Sequence, residues 1–161
     1  MKPTKPHAKN LRKGRVSQPN QAYLITAVTE NRQKVFADFY PARILIDCLR
    51  QQHDLGHVES LAFVVMPDHL HWLMILQAGA SLSEVMRRVK GGSAYLINSC
   101  RRQHEVSVEV KPLWQEGFHD HALRREEDMR RTARYLIANP LRAGLVSKIG
   151  DYPHWDAKWL L

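Results

Sequence analysis

Apolar residues change their period several times along this chain, and each change marks an element. Tyr23 to Thr29 is rich in β-branched and aromatic residues and predicts a first strand. From Pro41, which suits a first helical turn, Ile44, Leu45, Cys48 and Leu49 recur at helical spacing, and Gly56 closes the helix. A second strand is predicted from about His57 to Val65 and a third from His69 to Leu76, with Met66-Pro67-Asp68 as a tight connection. Ser81-Leu82-Ser83-Glu84 has the form of a capping box and opens a helix whose apolar stripe is Leu82, Val85, Met86 and Val89. Gly91-Gly92 predicts an interruption before a further helical stretch, Ala94 to Cys100. Residues 105–124 are mixed. A last helix is predicted from Glu126 to Asn139, opened by the acidic run Glu126-Glu127-Asp128 and stopped by Pro140. Strand, helix, strand, strand, helix, helix, with one-sided strands, predicts an α+β fold in which helices cover an antiparallel sheet.

Ahead of these elements, residues 1–21 are polar and basic, with Arg12, Lys13 and Arg15 among their cations. They read as an arm in front of a single domain, 22–161, which lies along a phosphate backbone or is merely solvated. Composition sharpens the choice of partner. The 161-residue chain is 44% apolar, so it can bury a core, and its 24 Lys and Arg against 16 Asp and Glu leave a formal charge of +8. Such a surplus favours polyanions, nucleic acid first. The two cysteines, Cys48 and Cys100, form no CxxC pair, which argues against a cysteine-rich zinc site and a disulfide framework. No apolar run has membrane-spanning length and the start lacks a signal-like apolar stretch, so a soluble cytoplasmic protein is expected, with no membrane partner.

Candidate chemistry begins with His69-Leu70-His71. Alternation along a strand puts both imidazoles on one face, where they can share a divalent cation, while Leu70 and Trp72 anchor the other face. The same spacing recurs in His119 and His121, so the motif alone is weak. The first pair is favoured because it sits in an apolar strand, where polar side chains need a partner. The last helix offers more. Met129, Ala133, Leu136 and Ile137 form its core stripe, and Tyr135 falls roughly 145° from the centre of that stripe. Core packing therefore does not explain Tyr135. It is either an exposed aromatic or a nucleophile, with Asn139 one turn on as an oxygen ligand. Two imidazoles and an amide oxygen suit Mg²⁺ or Mn²⁺ better than zinc. Tyr95 is the internal rival, but Ser99 stands where the amide should be. Arg87, Lys90, Arg124 and His121 are further candidates for DNA contact, each with solvated surface charge as the plain alternative. Trp114 and Phe118 either stack on an unpaired base or anchor the core; the core is favoured for Trp114.

Three segments carry a resemblance. Val64 to Trp72, around His69-Leu70-His71, resembles the His-hydrophobic-His motif of the single-tyrosine transposases. Trp114 to His121 is similar to the W-Q-x-x-F segment of REP-associated tyrosine transposases, and Tyr135 to Gly144 to their Y-I-x-x-N-P-x-x-x-G stretch. Arg12-Lys13-Gly14-Arg15 also fits, whereas Tyr152 to Trp155 is only loosely similar. The resemblance implies a ferredoxin-like antiparallel sheet with helices mainly on one face. It also implies action on single-stranded, hairpin-bearing DNA of bacterial repeated extragenic palindromes, by a protein working as a monomer or a homodimer. Tyr135 would be the nucleophile and His69, His71 and Asn139 the metal ligands. The competing expectations are a domain that keeps the fold and binds hairpins without cutting them, and a phosphodiesterase that uses water.

Overall fold

A computed structural model describes residues 17–104 and 111–159. Arg12, Lys13 and Arg15 lie outside the described residues. Strands β1 (Ala22–Val28), β2 (Val58–Met66), β3 (His69–Leu76), β4 (His119–Leu123) and β5 (Trp155–Ala157) form one antiparallel sheet in the order β4-β1-β3-β2-β5. The first four strands and their two intervening helices reproduce the expected ferredoxin-like arrangement.

β3 runs through the middle of the sheet and divides its side chains cleanly. Leu70, Trp72, Met74 and Leu76 are buried against α1 (Phe39–Asp54) and α2 (Leu82–His104), together with Leu45, Leu49, Val85 and Met86. The Trp72 indole is fully buried and donates to Ser60 Oγ at 2.9 Å. His69, His71, Leu73 and Ile75 take the opposite face. There the apolar stripe of α3 (Glu126–Ile137), namely Ala133, Leu136 and Ile137, packs on Ala62, Val64, Met66 and Leu73. Burying Leu136 and Ile137 contributes about 1.5–3 kcal/mol each, enough to seat a short helix. α3 is thus the exception to the one-sided arrangement.

A β-bulge makes that second face possible. The β2–β3 register shifts between Ser60 and Ala62. Val58 and Ser60 pair with Leu76 and Met74 on the α1–α2 side, yet beyond the bulge it is Phe63 and Val65 that take that side. One extra residue therefore turns Ala62, Val64 and Met66 towards α3.

Four sequence expectations change. Gly91-Gly92 does not interrupt α2, which runs unbroken from Leu82 to His104. The buried stripe continues through Val89, Ser93 and Ile97, and this burial outweighs the roughly 1 kcal/mol a helical glycine costs. The last helix ends at Ile137, not Asn139. Pro140 does not stop a helix but starts one: it occupies the first turn of α4 (Asn139–Arg142), where its missing N–H costs nothing. β4 and β5 fall where no strand was expected. β4 is His-Asp-His-Ala-Leu, without a β-forming pattern, and it exists because it pairs with β1 at the sheet edge. The capping box is present, with Glu84 N–H donating to Ser81 Oγ at 3.2 Å.

Candidate active site

The turn between β2 and β3 is held before any ligand enters. Thr29 N–H and Oγ1–H both donate to the Asp68 carbonyl, and Phe36 N–H donates to that of Pro67. Asp68 is thereby set to receive His69. Its Oδ1 lies 2.6 Å from His69 Nδ1, and its Oδ2 accepts from Arg32 at 3.3 Å. Partial burial works against the Asp68 charge, but the bonds and charges of His69 and then Arg32 overcome it and hold the carboxyl below its ordinary range. With a carboxylate as acceptor, Nδ1 of His69 carries the proton. Arg32 and its neighbour Asn31 adopt φ of 50° and 55°, a conformation L residues rarely take, so this loop stores backbone strain next to the site.

His71 is organised from the other side. It pairs with Thr26 of β1, whose Oγ1 lies 3.0 Å from His71 Nδ1. The rings of His69 and His71 stand edge to face with centroids 4.8 Å apart. Burial, the neighbouring His69 and the charge of Arg142 push the His71 pKa down to about 4, so it is a neutral donor at physiological pH. In both rings Nδ1 is engaged, so Nε2 is the nitrogen that could take a cation; for His69 the carboxylate also fixes the tautomer. Among the described residues no three His, Cys, Asp or Glu side chains converge. A third protein ligand would therefore be an amide or carbonyl oxygen, and the donor set fits an ion that accepts nitrogen and oxygen.

Tyr135 projects from α3 with 65% of its surface exposed. Arg142 of α4 holds its ring: the guanidinium carbon sits 3.8 Å from the ring centroid. Nη2 of the same arginine donates at 2.6 Å to the Tyr135 carbonyl and at 2.6 Å to Asn139 Oδ1. The same guanidinium thus covers Tyr135 and caps Asn139. α3 seats Tyr135 on the sheet face that carries the histidine pair, since Leu136 and Ile137 pack with Val64 and Met66, the register partners of His71 and His69, and Arg142 ties Tyr135 to Asn139. An amide oxygen has two lone pairs, so the bond from Arg142 leaves Asn139 one for a metal.

The remaining candidates divide by face. Register with β1 puts His119 beside Thr26 and His121 beside Leu24, on the same side of the sheet as His71, and both are exposed. Arg124 follows β4 and is exposed. Arg87 and Lys90 lie on α2, in the layer behind the sheet, and do not join the site. Lys90 is committed to the carbonyls of Gln115 and Gly117, at 2.7 and 2.6 Å. Trp114 and Phe118 are both buried; Trp114 donates to Ser93 Oγ and packs on Phe36, so these aromatics anchor the core. Tyr95 is 73% exposed but lies on α2, away from the histidines. Asp68, Arg32, Thr26 and Arg142 were missed. For Asp68 the signal was its place next to His69; Arg142 and Thr26 gave none, because their roles depend on long-range register.

Known proteins resemble this chain in sequence and in fold. Residues 17–139 match the family model of the IS200-like transposases. A REP-associated tyrosine transposase of Escherichia coli (strain K12) is 30% identical over 96 residues, covering 59% of this chain and 52% of that protein, so the match spans about half of that relative. A Haemophilus influenzae protein provisionally named for the same group is 25% identical over 140 residues, 82% of this chain and 77% of that one. The solved structure of a REP-associated tyrosine transposase bound to a REP hairpin is similar in fold, with a TM-score of 0.70 at 23% identity, over 88% of this chain and 79% of that one. The family match extends across most of the chain, and the chain belongs to the IS200-like transposases.

Proposed function

We propose that this protein is a metal-dependent endonuclease and strand transferase for single-stranded DNA that binds a hairpin and cleaves beside it by attack of Tyr135. The observation that carries the reading is the convergence on Arg142. One guanidinium contacts the exposed Tyr135 and Asn139, and each histidine on the same sheet face has its Nδ1 committed, which keeps its Nε2 available to a cation. Relatives named as transposases, one of them solved with a REP hairpin, support hairpin DNA as the ligand. The convergence within one chain supports a tyrosine that acts beside its own histidine pair.

His69, His71 and Asn139 would hold Mg²⁺ or Mn²⁺, which supplies Lewis acidity at the scissile phosphate. The chain's own groups do the rest. Asp68 accepts from His69 Nδ1–H and so leaves that Nε2 free to ligate, and Thr26 Oγ1 holds the His71 ring at its Nδ1. α3 presents Tyr135 at the surface, where a polymer can reach it. Tyr135 Oη loses its proton to solvent and forms a bond to phosphorus; the bond from phosphorus to the leaving sugar oxygen breaks, and that oxygen takes up a proton. The phosphodiester is conserved as a phosphotyrosine, so attack by another sugar hydroxyl can rejoin the strand.

The test is incubation of a labelled hairpin with single-stranded flanks in Mn²⁺, read on a denaturing gel. A covalent adduct is expected with the native protein and with Tyr95→Phe, and none with Tyr135→Phe, which still binds the hairpin. Cleavage without an adduct would instead indicate attack by water, and salt-sensitive binding without cleavage a hairpin-binding domain.

A further inference from the structure

Arg142 has partners that do not explain its charge. Two are carbonyl oxygens and one is an aromatic face. Among the described residues it forms no ion pair, whereas Arg32, Arg50 and Arg130 are each matched to a carboxylate. A guanidinium carries five N–H donors. The bonds to Tyr135 and Asn139 use the two on Nη2. The two on Nη1 and the one on Nε are not used by these bonds, and the side chain is exposed. An arginine anchored through one nitrogen, with donors and full charge left over, is a preformed anion receptor. Its anchor points are the backbone of Tyr135 and the side chain of Asn139, so its position is tied to the groups that must meet a phosphate.

From this the geometry points to Arg142 as a phosphate-binding catalytic residue: its Nη1 and Nε donors hold a non-bridging oxygen of the scissile phosphodiester while Nη2 keeps Tyr135 and Asn139 in register. The inference rests on the reading of Tyr135 as nucleophile, since it is that reading which puts the scissile phosphate at this point. Charge that develops on the phosphoryl oxygens during attack meets a fixed cation that needs no reorganisation. The ring contact adds a second effect. A guanidinium over the tyrosine face restrains an otherwise exposed side chain to one orientation.

The experiment uses the full chain in two arms. In the first, adduct formation in Mn²⁺ is followed for Arg142→Ala, Arg142→Gln and Arg142→Lys. Removal of the charge in Ala and Gln is expected to slow the adduct by roughly 10²–10³-fold, as for loss of one preorganised donor, and Lys to restore part of the rate. In the second, hairpin affinity is measured in EDTA on the Tyr135→Phe background, so that neither metal nor cleavage contributes. Loss of one phosphate contact lowers the slope of log affinity against log salt by about 0.7 for single-stranded DNA, and this drop is expected for Ala and Gln but not for Lys. The Gln variant keeps hydrogen-bonding capacity towards Tyr135 and Asn139, so it decides the matter if Ala perturbs α4. A slower adduct with an unchanged salt slope in Gln would overturn the phosphate contact and leave Arg142 a brace for the tyrosine. An adduct that survives in Tyr135→Phe would defeat the nucleophile reading instead, and the salt-slope arm would still report on Arg142 separately.

Discussion

Two His-x-His pairs share one face of one sheet, and only their strands differ. His69 and His71 lie on β3, flanked on both sides by hydrogen-bonded neighbours; His119 and His121 lie on β4, at the edge. The central pair is partly buried, edge to face, with Asp68 and Thr26 on its Nδ1 atoms. The edge pair is exposed. Identical spacing thus gives an oriented, partly desolvated pair in one place, the proposed metal ligands, and solvated imidazoles in the other. Ligation depends on desolvation and on partners that orient the rings; the middle of the sheet supplies burial and Thr26, and the turn before β3 supplies Asp68.

The comparison breaks most decisively at the ligands. His69→Ala and His71→Ala are each expected to weaken Mn²⁺ binding by more than the ~10–100-fold that loss of a ligand's hydrogen-bond partner costs, and His119→Ala by less than about 3-fold, in calorimetric titrations. Equal losses in all three variants would mean that the edge pair is part of the metal site.

Next in size is the response of the metal-free protein to acid. The His71 pKa is lowered from 6.5 to about 4. Between those values the unfolded chain binds a proton that the folded one refuses, so stability is intact above about pH 6.5 and falls as the pH drops towards 4. The full effect is on the order of 3 kcal/mol, at about 1.4 kcal/mol per pKa unit. His154, held below its ordinary value by burial and by Arg43, acts in the same direction. Urea midpoints at pH 7.5 and 5 should therefore differ, and His71→Gln should remove the larger part of the difference. A pH response unchanged in His71→Gln would place the acid sensitivity elsewhere.

Asp68→Asn comes third. Loss of the carboxylate that sets the His69 tautomer is expected to cost roughly 10-fold or more in Mn²⁺ affinity, with the fold kept by circular dichroism. The smallest effect belongs to His121→Ala. Its exposure predicts no measurable loss of stability and a change in hairpin affinity of less than about 3-fold, since a solvated side chain at a surface contributes little. A large loss there would move the DNA track out to β4.

The sequence told apart these two pairs only in part, and the reason is physical. β3 is legible because Leu70, Trp72, Met74 and Leu76 alternate with the histidines, and burial on one face imposes that period. β4 has no such alternation, since its strand character comes from pairing with β1 and from nothing in its own residues. The same distinction runs through the rest of the site. Tyr135 stood out because α3 has a narrow apolar stripe and the tyrosine is off it. Asn139 was placed one turn on, but in a helix that ends before it. Arg142 is one arginine among many in a basic chain, and its meaning lies in three partners that only the folded chain brings to it.

The bulge at Ser60–Ala62 has a consequence for anyone who would edit this scaffold. It works as a phase shifter between two hydrophobic codes written on one strand: residues before it are read by α1 and α2, residues after it partly by α3. Inserting one residue between Phe63 and Val64 would leave the composition almost untouched, yet it would turn Val64 and Met66 away from α3 and offer α3 the wrong set of side chains. The seat of the tyrosine helix is therefore set by strand length as much as by side-chain choice. Point substitutions along β2 should be far better tolerated than such an insertion.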